Sequence, residues 1–597
     1  MENLQRALAR EYVENTSVSV YLTGKAGTGK TTFLKQVVAE CAKQKVVVAP
    51  TGVAAINAEG VTIHSFFQIP FGVCLPDYSF QFPKFSKPKL NVIKSLELLI
   101  IDEISMVRAD MLDAVDLVLR RCRHSSKPFG GVQVLMIGDM QQLPPVTKDD
   151  EWTILKDFYK SPFFFDSKVL SQTHYVCIEL QHIYRQSERT FIDLLAKVRD
   201  NRLDAQGLAL LNARYRPDFN PPKEDGYVIL TTHNASANSI NNREMAALDA
   251  PEFHFDADVE GDFPAALFPQ SPRLTLKKGA QVMFTKNDHQ PERRYVNGTL
   301  GTVTDLNESF IEVTPLGQSE PIELERDSWE NLKYKIDADS KEITSTICGL
   351  FTQYPLRLAW AITIHKSQGL TFDRTIIDAA QSFTHGQVYV ALSRCRSLEG
   401  IVLSSRISPR AVMTDAQICD FNQRSAALEP SSEQLDRDKQ HYVGELLSNA
   451  FDFSYIGMQV FVFAKFAREH LADSHPKVVD KWEAAKQPVR TQLEDVGTKF
   501  IKTLGKLVGP NYQENELLRE RLAKASDYFI DKCADLLIPL VNETAQLDMG
   551  TKKDRKTAKD LTKNLTNALR VKTGLFKYLR GPFAWETFIS SISQLTW

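Results

Sequence analysis

The residues Gly24-Lys25-Ala26-Gly27-Thr28-Gly29-Lys30-Thr31-Thr32 constrain this chain more than any others. They fit G-x-x-x-x-G-K-[ST]. They stand between a short β-branched, apolar run at 18–22 and a stretch where Phe33, Leu34, Val37 and Val38 recur at helical spacing. A strand, a glycine-rich loop and a helix in that order offer a phosphate successive backbone N–H groups and the positive end of the helix dipole. Lys30 is then placed for the β- and γ-phosphates and the Thr31 hydroxyl for Mg²⁺, with Gly27, Thr28, Gly29 and Thr32 completing the cradle. A glycine-rich turn that binds nothing would not need the flanking strand and helix. The pattern predicts a nucleoside triphosphate site with Mg²⁺.

At 597 residues the chain has room for about three or four domains, each with its own core. The formal net charge is −2, so any nucleic-acid contact must come from local patches. Eight scattered cysteines, without a C-x-x-C pair or zinc spacing, read as reduced thiols. No apolar run reads as long enough to cross a membrane. The phosphate motif begins so early that no cleaved targeting segment is expected ahead of it. The expected setting is the cytoplasm, of bacterial type.

Strand-like runs at 46–49, 98–101 and 134–137 alternate with helical patterns, which predicts βαβ units and a mostly parallel sheet over residues 1–175. From about 64 to 90 the pattern breaks into an aromatic, proline-punctuated stretch. It ends Phe82-Pro83-Lys84-Phe85-Ser86-Lys87-Pro88-Lys89 and reads as a positively charged insertion rather than core. A second α/β pattern covers 176–242 and resumes over 350–425. Between them, 243–349 is rich in short strands and turns. Glu429-Pro430-Ser431-Ser432 reads as a linker to a helical region, 431–597, in which Leu518, Leu522, Ala525, Phe529, Cys533 and Leu536 recur every three or four residues.

Leu98-Leu99-Ile100-Ile101-Asp102-Glu103 is a buried-strand pattern ending in two carboxylates. At the carboxyl end of a strand in a nucleotide-binding sheet, Asp102 can join a Mg²⁺ shell and Glu103 can orient and deprotonate water. The run at 134–137 ends in Gly138-Asp139-Met140-Gln141-Gln142-Leu143-Pro144-Pro145-Val146, where a glutamine amide, donor and acceptor at once, can sense a γ-phosphate.

These segments occur in the order GKAGTGKTT, APTGVAAINAEGVTIHSFF, IIDEISM, GDMQQLPPV. They are followed by Tyr184-Arg185-Gln186, LKKGAQVMFTKND, YVNGTLGTV, LAWAITIHKSQGLTFD and GQVYVALSRCRSLEGI. Over about residues 24–424 the chain resembles the PIF-type and RecD-like superfamily 1B helicases. That resemblance implies an α/β fold of two RecA-like P-loop NTPase lobes. It further implies a small insertion in the first lobe, a β-rich, SH3-like insertion in the second, and the helical C-terminal region outside the match. It implies ATP hydrolysis coupled to 5′→3′ movement on single-stranded DNA and opening of single/double-strand junctions. The alternative is a DNA-stimulated translocase that remodels proteins or serves as motor of a larger recombination complex. Residue by residue, the resemblance places catalysis on Lys30, Glu103, Gln142 and two arginine fingers, Arg185 and Arg394. Gln368 and Gly369 join the nucleotide and DNA sites. Gln5 is the only upstream candidate for an adenine-reading glutamine.

For DNA, Pro50-Thr51-Gly52 follows a strand and opens a helix, a natural phosphate-backbone grip. Thr62, His64, Ser65 and Phe66 continue the same family motif, with Phe66 either a base-stacking platform or a core plug. Thr232, His233 and Asn234 form the matching grip in the second lobe, and Thr363, His365, Lys366 and Asn297 are further candidates. Lys84, Lys87 and Lys89 read as a solvated face able to steer DNA. Lys552, Lys553, Arg555, Lys556, Lys559 and Lys563 read as a solvated helix face ahead of a nucleic-acid arm. Trp585, Phe588 and Trp597 suggest a packed last helix or a protein-partner surface, and a monomer is expected.

Overall fold

The computed structural model describes residues 4–75, 82–186, 188–290, 292–337, 340, 342–378, 386–412, 415–547, 551–585, 587–589 and 592. The first lobe is a parallel sheet of β1 (Ser19–Gly24), β2 (Lys45–Ala49), β3 (Val61–Thr62), β4 (Leu98–Ile101), β5 (Gln133–Ile137) and β6 (Tyr175–Leu180), in the order β3-β2-β4-β5-β1-β6. Runs such as Leu98-Leu99-Ile100-Ile101 suit strands buried on both faces. On one face α1 (Leu4–Asn15) and α2 (Lys30–Glu40) contribute Tyr12, Val13, Leu34 and Val37. On the other, the helix Ala109–Arg123 contributes Leu112, Val115 and Leu119. Because the pairings are parallel, the carboxyl ends of β1, β4 and β5 share one edge. The phosphate loop, Asp102-Glu103 and residues 138–142 leave the sheet there.

Three sequence boundaries are corrected. β6 pairs with β1 from Ser19↔Tyr175 to Gly24↔Leu180, so the second lobe begins after Leu180 and not at 176; a strand's own pattern does not say which sheet it joins. The 64–90 stretch is not apart from the core. Phe66, Phe67, Ile69 and Cys74 are buried in the first lobe's core. They are covered by a long β-hairpin, Asp327–Ile336 with Ile343–Gln353, that arrives from the other insertion. That insertion in turn extends to Leu358, because Leu356–Leu358 pairs with Gln281–Phe284. It closes an antiparallel sheet with Leu300–Leu306, Ile311–Pro315 and Ile322–Leu324, around a core that includes Tyr354.

The second lobe's parallel sheet runs Ala361–Thr363, Val228–Thr231, Thr375–Ile377, Ile401–Leu403. The helices Arg189–Arg199 and Gln387–Leu392 pack on it through Phe191, Leu194, Val390 and Leu392.

Helices from Ser432–Phe451 to Lys552–Arg580 share one core holding Phe463, Trp482, Phe529, Phe576, Trp585 and Phe588. Trp597 lies outside the described residues. The predicted period is realised in Glu516–Leu536, which buries Leu518, Leu522, Phe529 and Cys533. The expected linker is only a turn, capped by Ser431, and the helix after it lies on the first lobe. Tyr12 donates to Asp438 at 3.1 Å, Ser17 donates to Glu445 at 2.8 Å and Lys439 pairs with Glu11 at 2.6 Å. Contrary to the sequence expectation, Ser432–His470 holds an 18-residue window that is apolar enough for a membrane crossing by length and composition, at mean hydropathy 1.2. Its apolar residues, Leu447, Val460 and Phe463 among them, are spent on the domain core.

Candidate nucleotide and nucleic-acid site

The phosphate loop turns on glycine. Gly27 has φ +81°, and a Cβ there would meet the Cβ of Arg185, so only glycine admits both the left-handed turn and the close approach. Gly29 caps α2, Thr28 Oγ1 donates to the Lys25 carbonyl at 2.9 Å, and Thr31 and Thr32 are exposed at the helix start. Lys30 Nζ donates to the Gly24 carbonyl at 2.6 Å and the Lys25 carbonyl at 3.2 Å, folded over the loop it is expected to serve. Burial pushes its pKa down, against the pull of Asp139, Glu103 and Asp102.

Asp102 and Glu103 follow β4 as predicted. Glu103 sits at φ +51°, an uncommon backbone state for a side chain of its size. Burial pushes both carboxyls up, Glu103 further through the Asp102 charge, while Lys30 draws both down. Two acids held this way favour a cation beside them. Among the described residues no group of three or more His, Cys, Asp or Glu could hold a metal alone. The donor set fits Mg²⁺ bound by the Thr31 hydroxyl, Asp102 and phosphate oxygens.

Gln142 is buried, its amide donates to Asp139 at 3.3 Å, and its carbonyl accepts from Gln368 Nε2 of the second lobe at 3.4 Å. Gly386, at φ +82°, lies against the Gln142 backbone carbonyl with no room for a Cβ. Arg185 donates to the carbonyls of Gly369 (3.2 Å) and Ser393 (3.4 Å). Arg394 is almost fully buried and donates to the Val390 carbonyl and Ser393 Oγ, each at 2.9 Å. Burial, then the Arg185 charge, pushes Arg394 down to about 9, and its charge and that of Glu103 act on each other. The structure thus brings Lys30, Asp102, Glu103, Gln142, Arg185, Gln368, Gly369 and Arg394 to one cleft between the lobes.

Three residues of this cleft carried little sequence signal. Asp139, buried after β5, meets Arg199 of the second lobe at 3.4 Å, and Arg199 also reaches Glu179 at 2.9 Å. Tyr389 accepts at its hydroxyl from the Ala26 N–H at 3.0 Å. Asp139 and Tyr389 stood inside quoted motifs without assigned roles; Arg199 stood in none.

The nucleic-acid set is less uniform. Thr51 caps α3 (Gly52–Asn57), its hydroxyl accepting from Ala54 N–H at 3.2 Å, next to Leu267 of the β-rich insertion beside Gly52. His233 and Asn234 are exposed at the start of Asn234–Ala246, with Thr232 half-buried before them. Phe66 is corrected: it is buried, edge-on to Phe67 and Tyr334, with Lys89 Nζ 3.4 Å from its ring centre, so no base can stack on it. Lys89 likewise leaves the solvated face, and burial pushes it down to about 7. Thr62 and Thr363 are buried and use their hydroxyls to accept from Ser65 and Lys366 N–H. Ser65, Lys366 and Asn297 are exposed, and His64 and His365 are half-buried. Phe71, 82% exposed and stacked on His64 at 4.5 Å, is the aromatic that this region presents to solvent in place of Phe66.

A phosphate loop, a strand-end acid pair and arginines from a facing lobe define a P-loop NTPase of two RecA-like lobes. A model described as "PIF1-like helicase" matches residues 2–207, and one described as "DNA helicase, middle domain" matches 434–596. The chain is 36% identical to ATP-dependent DNA helicase PIF1 of Danio rerio, over 68% of this chain and 61% of that one, short of two thirds of its length. It is 32% identical to ATP-dependent DNA helicase Pif1 of Bdellovibrio bacteriovorus, over 68% of this chain and 88% of that one. A crystal structure of Pif1 helicase from Bacteroides in complex with ADP-AlF3 and ssDNA is 42% identical. It covers 72% of this chain and 97% of that one, with a TM-score of 0.53. The chain belongs to the PIF1-like helicase family.

Proposed function

We propose that this protein is an ATP-dependent DNA helicase that moves 5′→3′ on single-stranded DNA and opens duplex at single/double-strand junctions. The observation that carries the reading is the seating of second-lobe residues on the first lobe's nucleotide machinery. Arg185 lies on Gly27, Gln368 bonds Gln142 and the Arg394 charge acts on Glu103. The proteins of Danio rerio and Bdellovibrio bacteriovorus carry the name helicase, and the Bacteroides protein holds a nucleotide analogue with single-stranded DNA, which supports both ligands here.

Lys30 turns from the Gly24 and Lys25 carbonyls to the β- and γ-phosphates, and the loop N–H groups hold them. Thr31 and Asp102 would hold Mg²⁺, which would neutralise phosphate charge when bound. Glu103 takes the proton of the attacking water; Arg185 and Arg394 balance the charge that spreads over the transferred phosphoryl group. Gln142 passes the presence of the γ-phosphate to Gln368, three residues after His365 in the segment that also carries Thr363 and Lys366. Thr51 in one lobe and Thr232, His233 and Asn234 in the other hold the strand, so a change in cleft width becomes a displacement of one grip relative to the other.

Partial duplexes with either a 5′ or a 3′ single-stranded tail test the reading with ATP and Mg²⁺ at fixed salt. Opening of the 5′-tailed substrate alone is expected, and opening of the 3′-tailed one alone reverses the polarity. Opening of neither, with ATP hydrolysis still stimulated by single strands, makes the protein a translocase or a motor subunit. Lys30→Ala is expected to abolish hydrolysis and opening together; normal turnover in it removes the site assignment.

A further inference from the structure

The helix Lys552–Arg580 carries ten basic and two acidic residues in a chain of net charge −2. At about 100° per residue, Lys552, Lys556, Lys559, Lys563, Arg570 and Lys577 fall within about 60° of arc. They face away from the buried stripe of Ala558, Leu565, Leu569 and Phe576. All six are exposed, and among the described residues none of them makes an ion pair. Two pairs that this helix makes, His470 with Asp554 and Arg580 with Asp527, lie off the line, and Asp560 flanks it. Like charges three and four residues apart cost a helix a few tenths of a kcal/mol each, so the line is an arrangement that isolated helix stability opposes. The sequence run alone did not show this, since Arg570 and Lys577 lie well beyond it and Lys553 and Arg555 fall to its sides.

We propose that this line is a second DNA-contacting element, a track for the phosphate backbone of duplex DNA. It rests on the helicase reading above. The six cations span about 38 Å at about 1.5 Å per residue, close to one turn of B-DNA at about 34–36 Å. Single-strand sites use aromatic stacking platforms, and no aromatic side chain shares this arc. A 29-residue helix fixed by its core suits a stiff duplex better than a pliable strand. Its domain is anchored to the first lobe through Asp438, Lys439 and Glu445, so DNA held there travels with the motor.

The test uses the full-length chain, its K556Q/K559Q/K563Q variant and its K556E/K559E/K563E variant, with a labelled blunt duplex and a labelled oligo-dT strand as probes. Exposed side chains leave the fold intact, which circular dichroism and thermal melting verify. Expected is a loss of about tenfold or more in duplex affinity for the glutamine variant and a larger one for the glutamate variant. The dependence of log affinity on log salt becomes shallower by about 2–3, at about 0.9 per phosphate contact. Oligo-dT affinity stays unchanged. Duplex affinity equal to that of the native chain, no measurable duplex binding by the native chain, or an equal loss toward oligo-dT overturns the proposal. Failure of the helicase reading shows separately, as native ATP hydrolysis that oligo-dT does not stimulate.

Discussion

Glu103 combines a left-handed backbone, burial and an adjacent Asp102, a costly placement that a general base at the water-facing end of a nucleotide site makes intelligible. Glu103→Gln is expected to keep nucleotide and DNA affinity while turnover falls by about 10²–10⁴. Equilibrium binding and steady-state hydrolysis measure the two separately, and retained turnover moves the base elsewhere. At this scale the sequence was most legible where backbone geometry forces residue type. Gly27, Lys30 and the Asp102-Glu103 pair stand where their motifs place them. Phe66 was not legible, because an aromatic beside a loop has the same letters whether it stacks a base or fills the core; only the hairpin bringing Tyr334 onto it decides.

Among the elements, Lys87–Ser95 binds the first lobe to the hairpin of the second insertion, and Lys89 is the residue trapped between them. Burial, and then the Lys333 charge, hold Lys89 near 7 in the folded chain, below the ordinary 10.5. The folded state therefore binds fewer protons than the unfolded state between those values, and the Lys89 contribution to stability rises with pH across that window. Lys89→Met is expected to raise the urea midpoint at pH 7 and to flatten its rise toward pH 10; an unchanged pH profile refutes the burial argument. Strand and helix types were legible from periodicity, as in Leu98–Ile101 and Glu516–Leu536. Which sheet a strand joins was not, as β6 shows, because pairing is a property of two segments and periodicity belongs to one.

Over the whole molecule, the lobes meet through polar links that no single motif describes: Gln142 with Gln368, and Asp139 with Arg199. Gln368→Ala is expected to leave basal ATP hydrolysis within about twofold while its stimulation by single-stranded DNA falls severalfold. An unaltered stimulation ratio shows that communication runs elsewhere. Arg199→Ala leaves Asp139 buried without its cation, while the Gln141 N–H and the Gln142 amide still donate to it, and is expected to cost about 1–3 kcal/mol, read as a fall in melting temperature; a change of under about 1 kcal/mol makes the bridge incidental. The segment leaving β6 has one more consequence. Tyr184, four residues past the last residue of β6, donates its backbone N–H to the Gly27 carbonyl at 2.9 Å, so the tether between the lobes is also the cover of the phosphate loop. A nucleotide seated on that loop would lie beside the tether, so its exchange is expected to require the tether to move. Product release and not bond cleavage is then expected to set the pace of each advance, which a burst of phosphate ahead of steady turnover would show and its absence would refute.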